Sequence, residues 1–178
     1  MDTDGGECDA FAEELGRLII DNDWRLLTGG LGGIMESAAR GASTSSKWSS
    51  GSIIGILPGC DPDAANPYID ISMVTGLDHG RNLLVSQADA VVAVGGGAGT
   101  LSEIALAWLY YRLIIAFRGP GWAGQLADKK VDQRIRYPDI KEDRVYGVET
   151  AEEAVHTIIQ YVPEYTRRHH GISQRNVR

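Results

Sequence analysis

Runs that are apolar at every position alternate along this chain with segments of helical period. IIGIL (53–57), AVVAV (90–94) and LIIAF (113–117) leave no polar face for water. A strand without a polar face must be covered on both sides, the condition met by a parallel sheet with helices above and below. Between these runs the apolar positions recur every three to four residues. Phe11, Leu15, Leu18 and Ile19 share one face of a helix expected over 10–22, and further helices are expected over 34–40, 81–88, 101–111 and 150–161. Shorter strands are expected over 24–28, 69–74 and 145–148. Thr150 and Glu153 have capping-box spacing, while 42–50 and 119–144 read as irregular. The fold class is therefore α/β: a Rossmann-like, three-layer, doubly wound, mostly parallel sheet. Residues 1–162 form one domain, followed by a basic, flexible tail over 163–178. A doubly wound sheet ordinarily opens with a strand, a glycine turn and a helix. Here the chain opens at Gly5-Gly6 and the helix, so the first strand is expected to be missing, with the natural start upstream of Met1.

Two strand–glycine–helix joints stand out, TGGLGGIMES (28–37) and VGGGAGTLSE (94–103). Glycine lets the main chain turn tightly and lets an anion approach it. A helix start presents unpaired N–H groups and a partial positive charge. Candidate phosphate- or nucleotide-binding residues are Gly29, Gly30, Gly32 and Gly33 in the first joint, and Gly95, Gly96, Gly97, Gly99 and Thr100 in the second. Neither joint is a P-loop or a dinucleotide fingerprint: no Lys follows the glycines, and Thr100 stands where G-x-G-x-x-G needs its third glycine. Arg81 follows a candidate strand end at the start of a helix. Glu103 is expected on the first turn of the next. An Arg there suits a phosphate, and a carboxylate suits a hydroxyl, a water or a sugar cation.

Composition narrows the function classes. Seventeen Lys+Arg against 24 Asp+Glu leave a net charge of −7, which disfavours nucleic acid and anionic membrane as partners. The two cysteines, Cys8 and Cys60, make no disulfide framework, and no CxxC pair or three-ligand set points to a metal. The N-terminus does not read as a signal peptide and no apolar run is long enough for a membrane span, so a cytoplasmic protein is expected.

TGGLGGIMESAARGA, ILPG, NPYIDI and GRNLLVSQADAVVAVGGGAGTLSE together resemble the LOG-type (SLOG superfamily) Rossmann-like proteins over about residues 10–118. Within them the chain is similar to the branch that holds the molybdenum-cofactor carrier proteins and many nucleotide-binding members. LOG enzymes hydrolyse the N-glycosidic bond of nucleoside 5′-monophosphates, releasing base and ribose 5-phosphate. The resemblance places their catalytic Arg on Arg81, their catalytic Glu on Glu103 and their phosphate loop on Gly96, Gly97, Gly99 and Thr100. Gly95 replaces the motif proline, Ala98 a bulky residue, Asn82 the Lys after the Arg, and Ser102 the first of a Glu pair. Asn82 remains a candidate ligand contact. The lost Lys and carboxylate bear on hydrolysis, not on binding, and the carrier-like branch has a closer GGGxGTxSE loop. The resemblance implies a binder of a nucleotide or of the molybdenum cofactor, with no cofactor required. The alternative is a nucleoside 5′-monophosphate phosphoribohydrolase. It also implies a homodimer, and the apolar segment 104–111 reads either as central to the fold or as a subunit interface.

Overall fold

The computed structural model describes residues 3–168, with side chains from Gly6 onward. The chain runs α1 (Thr3–Asp21), β1 (Leu26–Thr28), α2 (Ile34–Ser43), β2 (Ile53–Leu57), β3 (Ile71–Val74), α3 (Asn82–Val85), β4 (Ala90–Ala93), α4 (Ala98–Leu109), β5 (Leu113–Phe117), α5 (Gly121–Leu126), β6 (Val145–Val148) and α6 (Ala151–Tyr161). Short 3-10 turns cover Pro62–Ala64 and Asp78–Arg81. Every strand pair is parallel. The architecture is the expected Rossmann-like α/β fold.

The strands form two three-stranded blocks, β1-β2-β3 and β4-β5-β6. In each block the first strand lies at an edge, and β1 and β4 are not hydrogen-bonded to each other. β5 shows why the apolar runs needed two covers. Leu113, Ile115 and Phe117 enter one core with α1, α2 and α6, while Ile114 and Ala116 enter a second with Ile104, Trp108 and Ala123 of α4 and α5. At the end of β6, Thr150 Oγ1 accepts from Glu153 N–H at 3.2 Å while Glu153 Oε2 accepts from Glu149 N–H at 2.8 Å. This is the anticipated capping exchange, displaced by one residue on its return arm.

α1 and α2 touch backbone to backbone. A Cβ on Gly41 would lie 1.8 Å from Glu13 O, and one on Gly16 would lie 2.0 Å from Ala38 O. Helix propensity alone favours alanine at Gly41 by about 1 kcal/mol. The overlap with rigid backbone outweighs that gain, so Gly41→Ala is expected to destabilise the protein by about 2 kcal/mol net. A urea titration checks this, and a midpoint at or above wild type contradicts the close packing.

Of the basic tail expected from 163 onward, 163–168 turn back onto the domain. Tyr165 is buried, Arg167 donates to Arg136 O at 2.7 Å, and Arg168 pairs with Asp89 at 2.8 Å. Residues 169–178 lie outside the described residues.

Candidate functional site

A cavity of about 420 Å³ lies between the two blocks of strands. Its mouth, at the carboxyl ends of β1 and β4, is lined by Gly29, His79, Arg81, Gly96, Thr100 and Glu103. That is the edge at which open α/β sheets receive ligands. Arg81 and Glu103, 22 positions apart in sequence, thus line one cavity.

Gly96, Gly99 and Thr100 of the second glycine joint line one side of the mouth. α4 begins at Ala98 with Gly97 as its N-cap, three residues earlier than its apolar period indicated. Ala98, Gly99 and Thr100 carry no core-facing period, so periodicity does not register this first turn. One correction follows: Glu103 stands on the second turn of α4, and the first turn carries no acid. Among the described residues, no protein acceptor takes the N–H groups from Gly96 to Thr100. These are the orphan donors of a helix start. A Cβ on Gly97 or Gly99 would meet nothing within 4 Å, so the approach to these amides is open. Gly96 has φ +84, and a Cβ there would lie 1.9 Å from Thr100 Oγ1. The turn therefore needs glycine twice over, for its dihedral and for the hydroxyl folded against it. From behind, Trp122 N–H donates to Gly96 O at 3.0 Å and Ala123 N–H to Gly95 O at 3.1 Å. GPGWAG (119–124) braces the back of the loop and does not line the cavity.

The first joint divides its work. Gly29 lines the mouth, and a Cβ on it would fall 1.9 Å from Arg81 Nη1, so glycine makes room for the guanidinium. Gly30, by contrast, packs against Leu57 and Gly55. Gly32 and Gly33 precede α2 outside the cavity lining. Asn66 pins this loop: its N–H donates to Gly30 O at 2.9 Å and its Nδ2 to Leu31 O at 3.0 Å. Sequence reasoning missed Asn66, although the Asn66-Pro67 pair is a turn signal in itself.

Arg81 closes the 3-10 turn, and its Nη1 donates to Ile56 O at 3.0 Å, which fixes the head of the side chain in the mouth. Asn82 is buried, with its Nδ2 donating to Ser102 Oγ at 2.8 Å, while Ser102 Oγ donates to Gly99 O at 2.7 Å. Asn82 reaches the cavity wall but spends its amide on the first turns of α4. Ser102 and Asn82, the two departures from the LOG pattern, are thus bonded to each other.

Burial pushes the Glu103 carboxyl up, and the Arg81 charge pulls it partly back. Burial likewise draws the Arg81 guanidinium down, opposed by Glu103. A carboxyl whose folded pKa is raised binds protons more readily when folded, so its contribution is most favourable at low pH and is lost as pH rises through the folded pKa. Glu103→Gln has no such titration. Its stability relative to wild type is expected to rise as pH climbs from the ordinary carboxyl range toward neutrality. Paired urea titrations measure it, and a difference that is flat or falls with pH rejects the raised carboxyl.

A family model described as the SLOG cluster4 family matches residues 3–155. The chain belongs to the SLOG cluster4 family. Solved structures similar to this SLOG chain include that of TM1055, at 30% identity and TM-score 0.75, covering 89% of this chain and 91% of that one. The molybdenum cofactor binding protein of the phototrophic bacterium Rippkaea orientalis is similar at 32% identity and TM-score 0.69, covering 85% and 86% of the two chains. The molybdenum cofactor carrier protein of Chlamydomonas reinhardtii is similar at 28% identity and TM-score 0.69, covering 89% and 90%. These likenesses extend the SLOG resemblance well past residue 118. Among the described residues, no helix is long and apolar enough to cross a membrane.

Proposed function

We propose that this SLOG protein binds and carries a small phosphorylated ligand, with the molybdenum cofactor as the specific candidate cargo. One observation carries the reading: the run of N–H groups from Gly96 to Thr100, without acceptors among the described residues, beside Arg81 and Glu103 at a single cavity. A phosphate fits that donor set. It accepts from the helix-start amides, takes charge-assisted bonds from Arg81, and needs no surface lysines in a chain of net charge −7. Glu103 offers an acceptor for a ring N–H or a hydroxyl of the ligand. The two similar structures named for the molybdenum cofactor support that choice of cargo. Residues 1–162 act in this reading as one binding unit with 163–178 appended, in a cytoplasmic setting. A homodimer is supported by Leu83 and Leu84 of α3 and Leu109 of α4, which are exposed on neighbouring packed helices.

A second reading, hydrolysis of nucleoside 5′-monophosphates, is favoured by the half-buried Glu103 carboxylate facing Arg81. The phosphate would then anchor the substrate, and Glu103 would stabilise the ribosyl cation or orient water. The deciding experiment incubates the purified protein with released molybdenum cofactor and, separately, with AMP. Co-elution of the cofactor, with no free adenine from AMP, supports the carrier. Adenine release that disappears in Glu103→Ala supports the hydrolase. If neither ligand is retained or turned over, both readings fail.

A further inference from the structure

The connection from α5 to β6 leaves the domain and returns to its point of departure. Asp128 N–H donates to Val145 O at 2.8 Å and Val145 N–H to Lys129 O at 2.9 Å, so the ends of the loop 129–144 are clamped together. Compact loops with joined ends frequently carry function. The interior of this loop is fixed as firmly as its ends. Arg136 Nε donates to Asp143 at 2.9 Å across it, and Trp108 Nε1 of α4 donates to Asp132 Oδ1 at 2.9 Å. Arg136 Nη1 also reaches the carbonyl of Arg112, immediately ahead of β5. The loop therefore sits at the amino ends of the strands, opposite the mouth.

Held this way, the loop encloses a second cavity of about 210 Å³. Lys130, Arg134 and Lys141 line it, and all three are exposed. Asp143 is the one carboxylate in its wall, and Arg136 and Tyr165 already occupy it. Arg134 has a long pair with Asp132 at 3.7 Å, while among the described residues Lys130 and Lys141 make no ion pair. Lysines on a merely solvated face diverge and so relieve their mutual repulsion. Here loop closure gathers cations around one concave space, in a chain of net charge −7. Ile135, Pro138 and Ile140 complete the wall with apolar surface.

We propose that the loop 129–144 forms a second binding site, for a small organic dianion with a short carbon skeleton. The two unpaired lysines set the charge, and the apolar wall accounts for the skeleton. The size fits a short anion: drug-sized ligands occupy roughly 300–1,000 Å³. Lysine ammoniums act as point charges without a planar fork, so the charged ends are carboxylate or phosphate alike. Because the lysines stay in water, the dissociation constant is expected near 1 mM, or about 4 kcal/mol. The two cavities share no lining residue, so the inference does not rest on the ligand reading of the mouth.

Backbone-amide NMR on the full chain tests it. The protein is titrated separately with succinate, glycerol 3-phosphate and inorganic phosphate, at constant ionic strength in chloride. Saturable shifts are expected at the amides of 130–143, with the two organic dianions about tenfold tighter than inorganic phosphate, the worth of two buried CH₂ groups. The double variant Lys130→Gln, Lys141→Gln alters only exposed side chains and is expected to keep its Tm while losing about tenfold in loop affinity. Arg81→Ala is expected to leave the loop response unchanged. Absence of saturable loop shifts at about 20 times the expected constant overturns the proposal. Equal affinity for all three anions, or a loop response that the lysine pair does not weaken, also overturns it. Shifts confined to 96–100 overturn it while supporting anion binding at the mouth.

Discussion

Arg81→Ala is expected to weaken binding of the phosphorylated ligand by about 100-fold, which converts to about 2.7 kcal/mol and lies within the range for a charge-assisted hydrogen bond. Three features of the site set this size. The guanidinium is partly withdrawn from water, so a phosphate meets it with less solvent to displace. Its Nη1 is already held by Ile56 O, so little side-chain freedom remains to be lost on binding. Of the residues at the mouth, none is a second Arg or Lys, so no other side chain replaces its fork of charged donors. Loss of the bond to Ile56 O costs about 1 kcal/mol of stability, so the variant stays folded and its binding defect is measurable by calorimetric titration. Arg81→Lys, which keeps charge but not the fork, is expected to lose about tenfold. Gly29→Ala separates position from charge: its Cβ overlaps Arg81 Nη1, so binding is expected to fall although the cation remains. Binding by Arg81→Ala within about threefold of wild type would remove Arg81 from the site, because even one weak neutral hydrogen bond is worth that much.

The largest stability effect is expected far from the mouth. Arg136 is fully buried, and its Nε and Nη2 donate to Asp143 at 2.9 and 2.5 Å. Nη1 donates to Arg112 O at 2.9 Å, and the guanidinium stacks 3.7 Å from the centroid of the Trp108 ring. Asp143 takes a further bond from Tyr165 Oη–H at 2.8 Å. Removing Arg136 strands the Asp143 carboxylate in a buried pocket with one remaining donor. Uncompensated buried charge of this kind costs about 3–5 kcal/mol, a large part of the roughly 5–15 kcal/mol that holds a domain together. Arg136→Met, which retains the volume, is expected to lower Tm by about 10 °C. Adding Asp143→Asn to it is expected to recover part of the loss, because the stranded charge goes with it. A double variant no more stable than Arg136→Met would place the cost in packing against Trp108 instead.

Arg136 and Asp143 also show where sequence reading runs out. They stand seven apart in a stretch with no hydrophobic period, 119–144, and nothing local marks either as buried. Their pairing is made by three segments that meet only in the folded chain, at Trp108, Arg112 and Tyr165. Asn66 escaped for the same reason, since its partners are 35 and 36 residues away. The start of α4 is not legible from periodicity, which reports the residues that face a core, whereas Gly99 and Thr100 line the mouth and Ala98 is exposed. The resulting three-residue error moved Glu103 from the first turn to the second without moving it out of the cavity.

What sequence alone determined was the class of fold and the place to look. Strands apolar at every position admit only a sheet with two covers, and helix periods between them supply the covers, so the α/β order follows from local chemistry. Glycine clusters at two strand ends follow as well, because the turn and the bare amides need residues without a Cβ. Tertiary structure decided what these parts do together. It set Arg81 over Gly29 and opposite Glu103, joined Asn82 to Ser102, and left β1 and β4 facing each other across a gap. Each of these depends on which strand lies beside which, and strand order is a property of long-range pairing that no local pattern encodes.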